Sequence, residues 1–251
     1  MTIPDWQLPP GVDRGLWDYL NSSDMVAVYD EQMRVSALAT ADVAFCEKSF
    51  AVPGKLIDLG CGTGRLCLHF VNKGFDCVGV DLSDEMLAKA RANWEAARRP
   101  GSVDFVKANL VDLSDLPAGS FDYAACLFST LGMVHGAENR SKLILNAHRL
   151  LKPGGKLVVH AHNRYFRELG LKRIATQAAK SLVGRAGDIT MPQAYGGAPL
   201  TLHHFSRREV VRLLEDGGFV IREVRPIGVN GQPVWPWWWV YGWMVLGTRA
   251  T

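Results

Sequence analysis

No stretch of about 20 apolar residues occurs in this 251-residue chain, so no segment reads as a membrane-spanning helix. The Trp-rich tail near 235–247 is too short and is interrupted by Pro236 and Gly242. Met1 to Pro10 has no basic flank followed by an apolar run, and a secretory leader is not expected there. Cysteine is sparse and unpatterned: Cys46, Cys61, Cys67, Cys77 and Cys126 are odd in number and show no paired C-x-x-C spacing. That usage points to a reduced, cytoplasmic protein without a bound metal rather than to a disulfide framework or a zinc site. Charge of one sign is also lacking, since the formal net charge is only +3 and implies no nucleic-acid partner. Its distribution is uneven, because residues 164 to 185 hold six Lys/Arg and one Glu.

What the chain does contain is a core-forming composition, 48% hydrophobic, that fits one domain over 1–251. Within it, Lys55-Leu56-Ile57-Asp58-Leu59 runs into Gly60, Gly62 and Gly64, and a helical pattern begins at once. This reads as a strand, a tight turn and a helix start. Glycines at alternate positions let the backbone approach a ligand, and the helix N-terminus leaves amides unpaired. The dinucleotide fingerprint G-x-G-x-x-G would require glycine at position 65, where the chain has Arg65. A nicotinamide oxidoreductase is disfavoured on that ground.

The remaining order is that of an α/β protein. Residues 1–52 are a helical lead that ends at the Pro53-Gly54 turn. Strands are predicted at 55–59, 76–80, 103–107, 121–128 and 156–162, with helices at about 64–73, from Ser83, and at about 138–151. Short β-rich runs alternating with helices favour a doubly wound parallel sheet. Residues 164–204 break the rhythm with a basic helical stretch and a Gly/Pro-containing loop, and read as a cap inserted after the fifth strand. Ser206-Arg207-Arg208-Glu209 is a capping box that restarts a helix. Two final strands, about 219–225 and 241–249, have no helix between them, so one must run against the others.

Ligands of an open α/β sheet bind beyond the carboxyl ends of its strands. Asp81 follows the second strand, seventeen residues after Gly64, where its carboxylate can accept from two ribose hydroxyls and selects a nucleoside without a 2′-phosphate. Ile57 to Gly64, Val80-Asp81-Leu82-Ser83 with Met86 to Ala90, Phe121-Asp122 and Leu150 to Gly155 together closely resemble the class I S-adenosylmethionine-dependent methyltransferases. The resemblance is strong over 50–163 and looser over 204–249. It implies a seven-stranded sheet of order 3-2-1-4-5-7-6 with strand 7 antiparallel. It also implies S-adenosylmethionine as donor, S-adenosylhomocysteine as product, and methyl transfer as the activity. Asp58, Gly60, Cys61, Gly62, Gly64 and Leu127 then belong to the donor site. Asp81 would hold the ribose, Leu82 and Met86 would pack near the adenine, and Asn109 with Leu110 would read its edge.

Methyl transfer asks a protein chiefly for positioning, and for a base only where the nucleophile starts protonated. His160 and His162 share a strand face, and His162 lies at the strand's carboxyl end. His203 and His204 are adjacent, so at most one faces the site. His162 is the first candidate base and His204 the second. Tyr29, Ser129, Thr130, Asn163, Arg164 and Trp237 are candidate acceptor contacts. The sequence Leu127-Phe128-Ser129-Thr130 lacks the Asn- or Asp-Pro-Pro-aromatic motif of nucleic-acid amino-methylating members, which favours a small-molecule acceptor and no nucleic acid. Five of the eight tryptophans lie in 235–243, a segment suited to an apolar acceptor, a peripheral membrane contact or a subunit contact, in a monomer or homodimer. Two alternatives stand beside the leading reading: a donor-binding but catalytically silent module acting through that Trp-rich face, and a methyltransferase of a lipid-like acceptor.

Overall fold

The computed structural model describes residues 3–97, 101–181, 186–191 and 199–250. Three helices lead the chain: α1 (Arg14–Leu20), α2 (Ser23–Val35) and α3 (Ala37–Ser49). The main sheet then begins with β1 (Lys55–Leu59), and Leu56, Ile57 and Leu59 are fully buried because helices cover both faces of this central strand. The glycine turn passes into α4 (Arg65–Val71), whose Leu66, Cys67, Phe70 and Val71 turn inward. Next come β2 (Asp76–Asp81), α5 (Asp84–Ala97), β3 (Val103–Lys107) and β4 (Phe121–Cys126). A single turn, α6 (Thr130–Met133), precedes α7 (Ala137–Leu150) and β5 (Leu151–His162).

The inserted segment holds α8 (Leu171–Ser181) and a two-stranded antiparallel sheet, β6 (Asp188–Met191) with β7 (Leu200–His203). The chain returns to the main fold through α9 (Arg207–Asp216), β8 (Phe219–Ile227) and β9 (Gly242–Arg249). The seven-stranded sheet has the order β3-β2-β1-β4-β5-β9-β8. Counting only its own strands, this is the expected 3-2-1-4-5-7-6, with the last strand, β9, antiparallel to both neighbours.

Several boundaries differ from the sequence expectation for identifiable reasons. The fourth strand stops at Cys126 because Phe128 and Ser129 both adopt left-handed backbone (φ 49° and 65°), which no ladder accommodates. The fifth starts at Leu151 because Phe121 already pairs with Leu151, and the Pro153-Gly154-Gly155 segment is absorbed as an irregularity before Tyr123 pairs with Lys156. The basic stretch 164–185 is helical only over Leu171–Ser181, after a 3-10 turn at Arg167–Leu169, and its end at 182–185 lies outside the described residues. The β6–β7 hairpin was not expected, and most of the loop predicted at 191–199 lies outside the described residues. The capping box is formed in full, Ser206 accepting from the Glu209 amide at 3.2 Å.

Two apolar layers flank the sheet, one built on α7 and α9 and the other on α3 and α4. A third, smaller cluster joins Leu16, Tyr19 and Met25 of the lead helices to Leu200 and Leu202 of β7. The lead and the insertion therefore meet each other over the carboxyl ends of the strands.

Candidate active site

The turn after β1 is drawn tight by β2: the amides of Gly60 and Cys61 both donate to the Val80 carbonyl, at 2.8 and 2.9 Å. Gly60 has φ +84°, and a Cβ there would lie 2.4 Å from the Thr130 methyl, so both conformation and space require glycine. Gly64, at φ +83°, is the N-cap of α4 and packs against Phe105. Its role is in folding the turn, and it lies off the cavity wall. Asp81 ties the two strand ends together, its Oδ2 accepting from the Gly62 amide at 2.9 Å and its Oδ1 from the Ser83 amide at 3.0 Å. Each of its oxygens retains a lone pair for a ligand hydroxyl. Burial raises its pKa, while those amide hydrogen bonds oppose the shift.

A cavity of about 390 Å³ opens over these strand ends, within the size range of small-molecule sites. One end is lined by Gly60, Gly62, Asp81, Leu82, Met86, Asn109 and Leu110. The other is lined by Thr130, Met133, His162, Phe166, Leu169, His204 and Tyr241, with Leu200 and Leu202 from the insertion. Leu16, Tyr19, Leu20 and Tyr29 of the lead helices close over both ends. A small polar side cavity, about 20 Å³, lies beneath Tyr29 between Asp58, Cys61, Arg65 and Leu127.

Asp58 is 4% exposed, and burial pushes its pKa up to about 7, against the pull of Arg65 and with the help of nearby Asp81 and Asp42. A carboxyl in this state is short of positive charge, and a cationic ligand beside it would restore its ionised form. Asn109 uses its amide nitrogen on the Pro10 carbonyl (2.9 Å), while its oxygen accepts from the Val111 amide (3.0 Å) and keeps one lone pair. The glycine cradle, buried Asp58 and Asp81 together suit a nucleoside joined to a cationic amino-acid group. S-adenosylmethionine has that constitution.

At the opposite end, His162 is buried and its Nε2 has no hydrogen-bond partner. Burial, with His160 and His204 beside it, holds its pKa well below that of a free imidazole. The three rings form a row, with centroids 5.5 Å apart from His160 to His162 and 5.3 Å from His162 to His204. Behind the row, His160 Nδ1 lies 2.7 Å from the Asp42 carboxylate, which also faces Arg65 at 3.4 Å. Of the adjacent pair, His204 reaches the cavity and has its pKa lowered to about 4 by burial. His203 points away, its two ring nitrogens each 2.7 Å from a carboxylate, Asp188 and Glu209.

Three expected acceptor contacts lie elsewhere. Ser129 is fully buried behind the cavity wall, because its left-handed backbone turns its side chain toward α6. Asn163 is buried and donates to the Val240 carbonyl at 2.8 Å. Arg164 is buried and paired with Glu209. Thr130 and Tyr29 do line the cavity, and the side chain of Trp237 lies outside the described residues. The sequence reading missed Leu16, Phe166, Leu200, Leu202 and Tyr241. The apolar alternation of Leu200 and Leu202 in β7 was the one signal available.

Residues 57–159 match a protein-family profile described as "Methyltransferase domain". The ubiquinone biosynthesis O-methyltransferase of Dechloromonas aromatica is 30% identical over 124 residues, 49% of this chain and 50% of that protein. The S-adenosyl-L-methionine-dependent Diels-Alderase iccD of Talaromyces variabilis is 30% identical over 184 residues, 72% of this chain and 58% of that protein. The chain thus spans about half the length of the curated relatives it matches. A solved S-adenosylmethionine-dependent methyltransferase from Methanosarcina mazei superposes with a TM-score of 0.62 at 25% identity, covering 79% of this chain and 93% of that one. Among the described residues, no helix is long and apolar enough to cross a membrane. Motifs, strand order and these relatives agree on a class I S-adenosylmethionine-dependent methyltransferase domain, matched over residues 57–159.

Proposed function

We propose that this chain transfers a methyl group from S-adenosylmethionine to a small, largely apolar or aromatic acceptor. The observation that carries the reading is a single cavity joining the Gly60–Asp81 end to an apolar chamber whose wall includes His162. Asp58, Gly60, Asp81, Leu82 and Leu110 would hold the donor, which when bound supplies an electrophilic methyl group on a sulfonium.

The chain's own contribution is positioning and proton handling. Leu169, Leu200, Leu202, Met133 and Phe166 offer an acceptor apolar surface, and Tyr241 lies 4.7 Å, centroid to centroid, from His162. Neutral His162 is suited to take a proton from an acceptor hydroxyl or amine as the nucleophile is used. Residues 1–52 act in this reading as a lid and 164–204 as a cap, each contributing side chains that exclude water. Transfer of label from the methyl of S-adenosylmethionine to any member of a panel of phenols, amines and quinols tests it. No transfer to any of them, with donor binding intact, overturns it.

The Diels-Alderase relative supports a second reading, in which the donor is bound but the chamber serves another reaction. That reading requires S-adenosylhomocysteine to support turnover as well as S-adenosylmethionine does. A peripheral membrane contact that delivers a lipid-like acceptor is supported by Trp235, 81% exposed, and Leu171, 83% exposed. Arg167 stacks over the Trp239 ring, 4.0 Å from its centroid.

A further inference from the structure

A second concavity, about 540 Å³, shares no lining residue with the methyl-transfer cavity. It lies where the N-terminus of α9 meets the end of β8 and the Trp-rich loop. Val224, Pro226 and Val240 give it an apolar floor. Asn163 forms the partition, its side chain bonded to Val240 and its amide donating to the Tyr241 carbonyl at 2.7 Å.

Three features of its wall are unsatisfied. Arg207 and Arg208 occupy the first two positions of α9, both exposed, and neither guanidinium meets a carboxylate among the described residues. They stand at the helix end where unpaired amides and the dipole already favour negative charge. Trp243 lines the same space from β9, is 7% exposed, and its indole N–H has no acceptor. A buried donor left unpaired is costly, and native proteins leave few of them. Trp235 lines the same groove and is 81% exposed. A large aromatic ring left in water beside two free guanidinia is a platform for a flat ligand with a negative group.

We propose that this groove is a second ligand site, which takes a planar apolar molecule carrying a carboxylate or a similar anionic group. The planar body lies between Trp235 and the Val224–Pro226 floor, and the anionic group is shared by Arg207, Arg208 and the Trp243 N–H. The proposal does not rest on the methyl-transfer reading, because no residue of the first cavity takes part.

The test uses the full chain saturated with S-adenosylhomocysteine and 2-naphthoate as probe, with neutral 2-naphthol as control. Calorimetry measures affinity, and the ¹⁵N-indole resonance of Trp243, assigned through Trp243→Phe, reports the place of binding. Binding of 2-naphthoate should move that resonance, and 2-naphthol should bind at least tenfold more weakly. The exposed double variant Arg207→Gln/Arg208→Gln should lose at least tenfold in affinity for 2-naphthoate. If that variant fails to fold, Arg208→Gln alone should lose at least threefold, and raised salt should weaken binding to the unaltered chain. A Trp243 resonance that does not respond, or an affinity unchanged by removing the arginines, overturns the proposal.

Discussion

Asp58 and His162 are opposite in their chemistry, and burial explains both. Asp58 has its pKa raised to about 7, so near neutrality it is a mixture of protonated and ionised forms. A cationic donor stabilises only the ionised form, so binding must release a proton from the protonated fraction. Donor affinity is therefore expected to fall as pH drops below about 7, by up to tenfold per pH unit. Calorimetry in buffers of different ionisation enthalpy should detect the released proton at pH 6 and almost none at pH 8.5. For His162 the shift runs downward, so the ring stays neutral through the usual imidazole range around 6.5. At saturating donor, kcat should consequently show no histidine-dependent loss between pH 7.5 and 6. His162→Gln should lower kcat by about 10²- to 10⁴-fold for an acceptor that starts protonated, and should leave S-adenosylhomocysteine affinity within about twofold. Both residues were legible in the sequence, because each stands at the carboxyl end of a recognisable strand. The Asp42–His160 contact was not, since 118 positions separate its partners.

The lead helices and the insertion do together what neither does alone. Leu16, Tyr19 and Met25 pack on Leu200 and Leu202, so the chamber's roof is made where the two segments meet. Leu202→Ala should cost about 2–5 kcal/mol of stability as a large-to-small change at a buried site, measured by denaturant unfolding, and should raise the KM for acceptor. The element α8 behaves differently. Among its described residues only Gln177 is buried, while Leu171 and three basic residues, Lys172, Arg173 and Lys180, face solvent. If this surface and Trp235 meet a bilayer, the protein should sediment with vesicles rich in anionic lipid, and Trp235→Ala with Leu171→Ser should abolish it. Equal recovery of both proteins in the supernatant removes the membrane reading. Helix and strand existence in these regions followed from pattern, but the β6–β7 hairpin did not. Strands of four residues carry too short an alternation to separate from loop.

At the scale of the whole molecule, the strand ends supply the Gly60–Asp81 end of the cavity, and the lead helices and the insertion add much of the rest of its wall. Anything bound between them should stabilise the native state by mass action. At 100 times its dissociation constant, S-adenosylhomocysteine should add about 2.7 kcal/mol, which raises the melting temperature by about 5–10 °C for a chain of this size. Thermal unfolding followed by circular dichroism checks this, and NADH at the same excess should produce no shift.

The donor half of the site was contained in the sequence because its determinants are local. Asp58 and the three glycines lie within seven residues and Asp81 ends the next strand, so they fall together at the carboxyl ends of β1 and β2, and the family resemblance implied their roles. Strand order, too, followed from resemblance and from the helix-free hairpin at the end. The half of the cavity where an acceptor is proposed to bind was decided only by tertiary packing. Phe128 and Ser129 turn left-handed and remove Ser129 from the wall, Arg164 turns to Glu209, and Leu16 meets Leu202 across 186 residues. Side-chain direction in such places depends on neighbours remote in the chain, and neither periodicity nor motif encodes which of them will arrive.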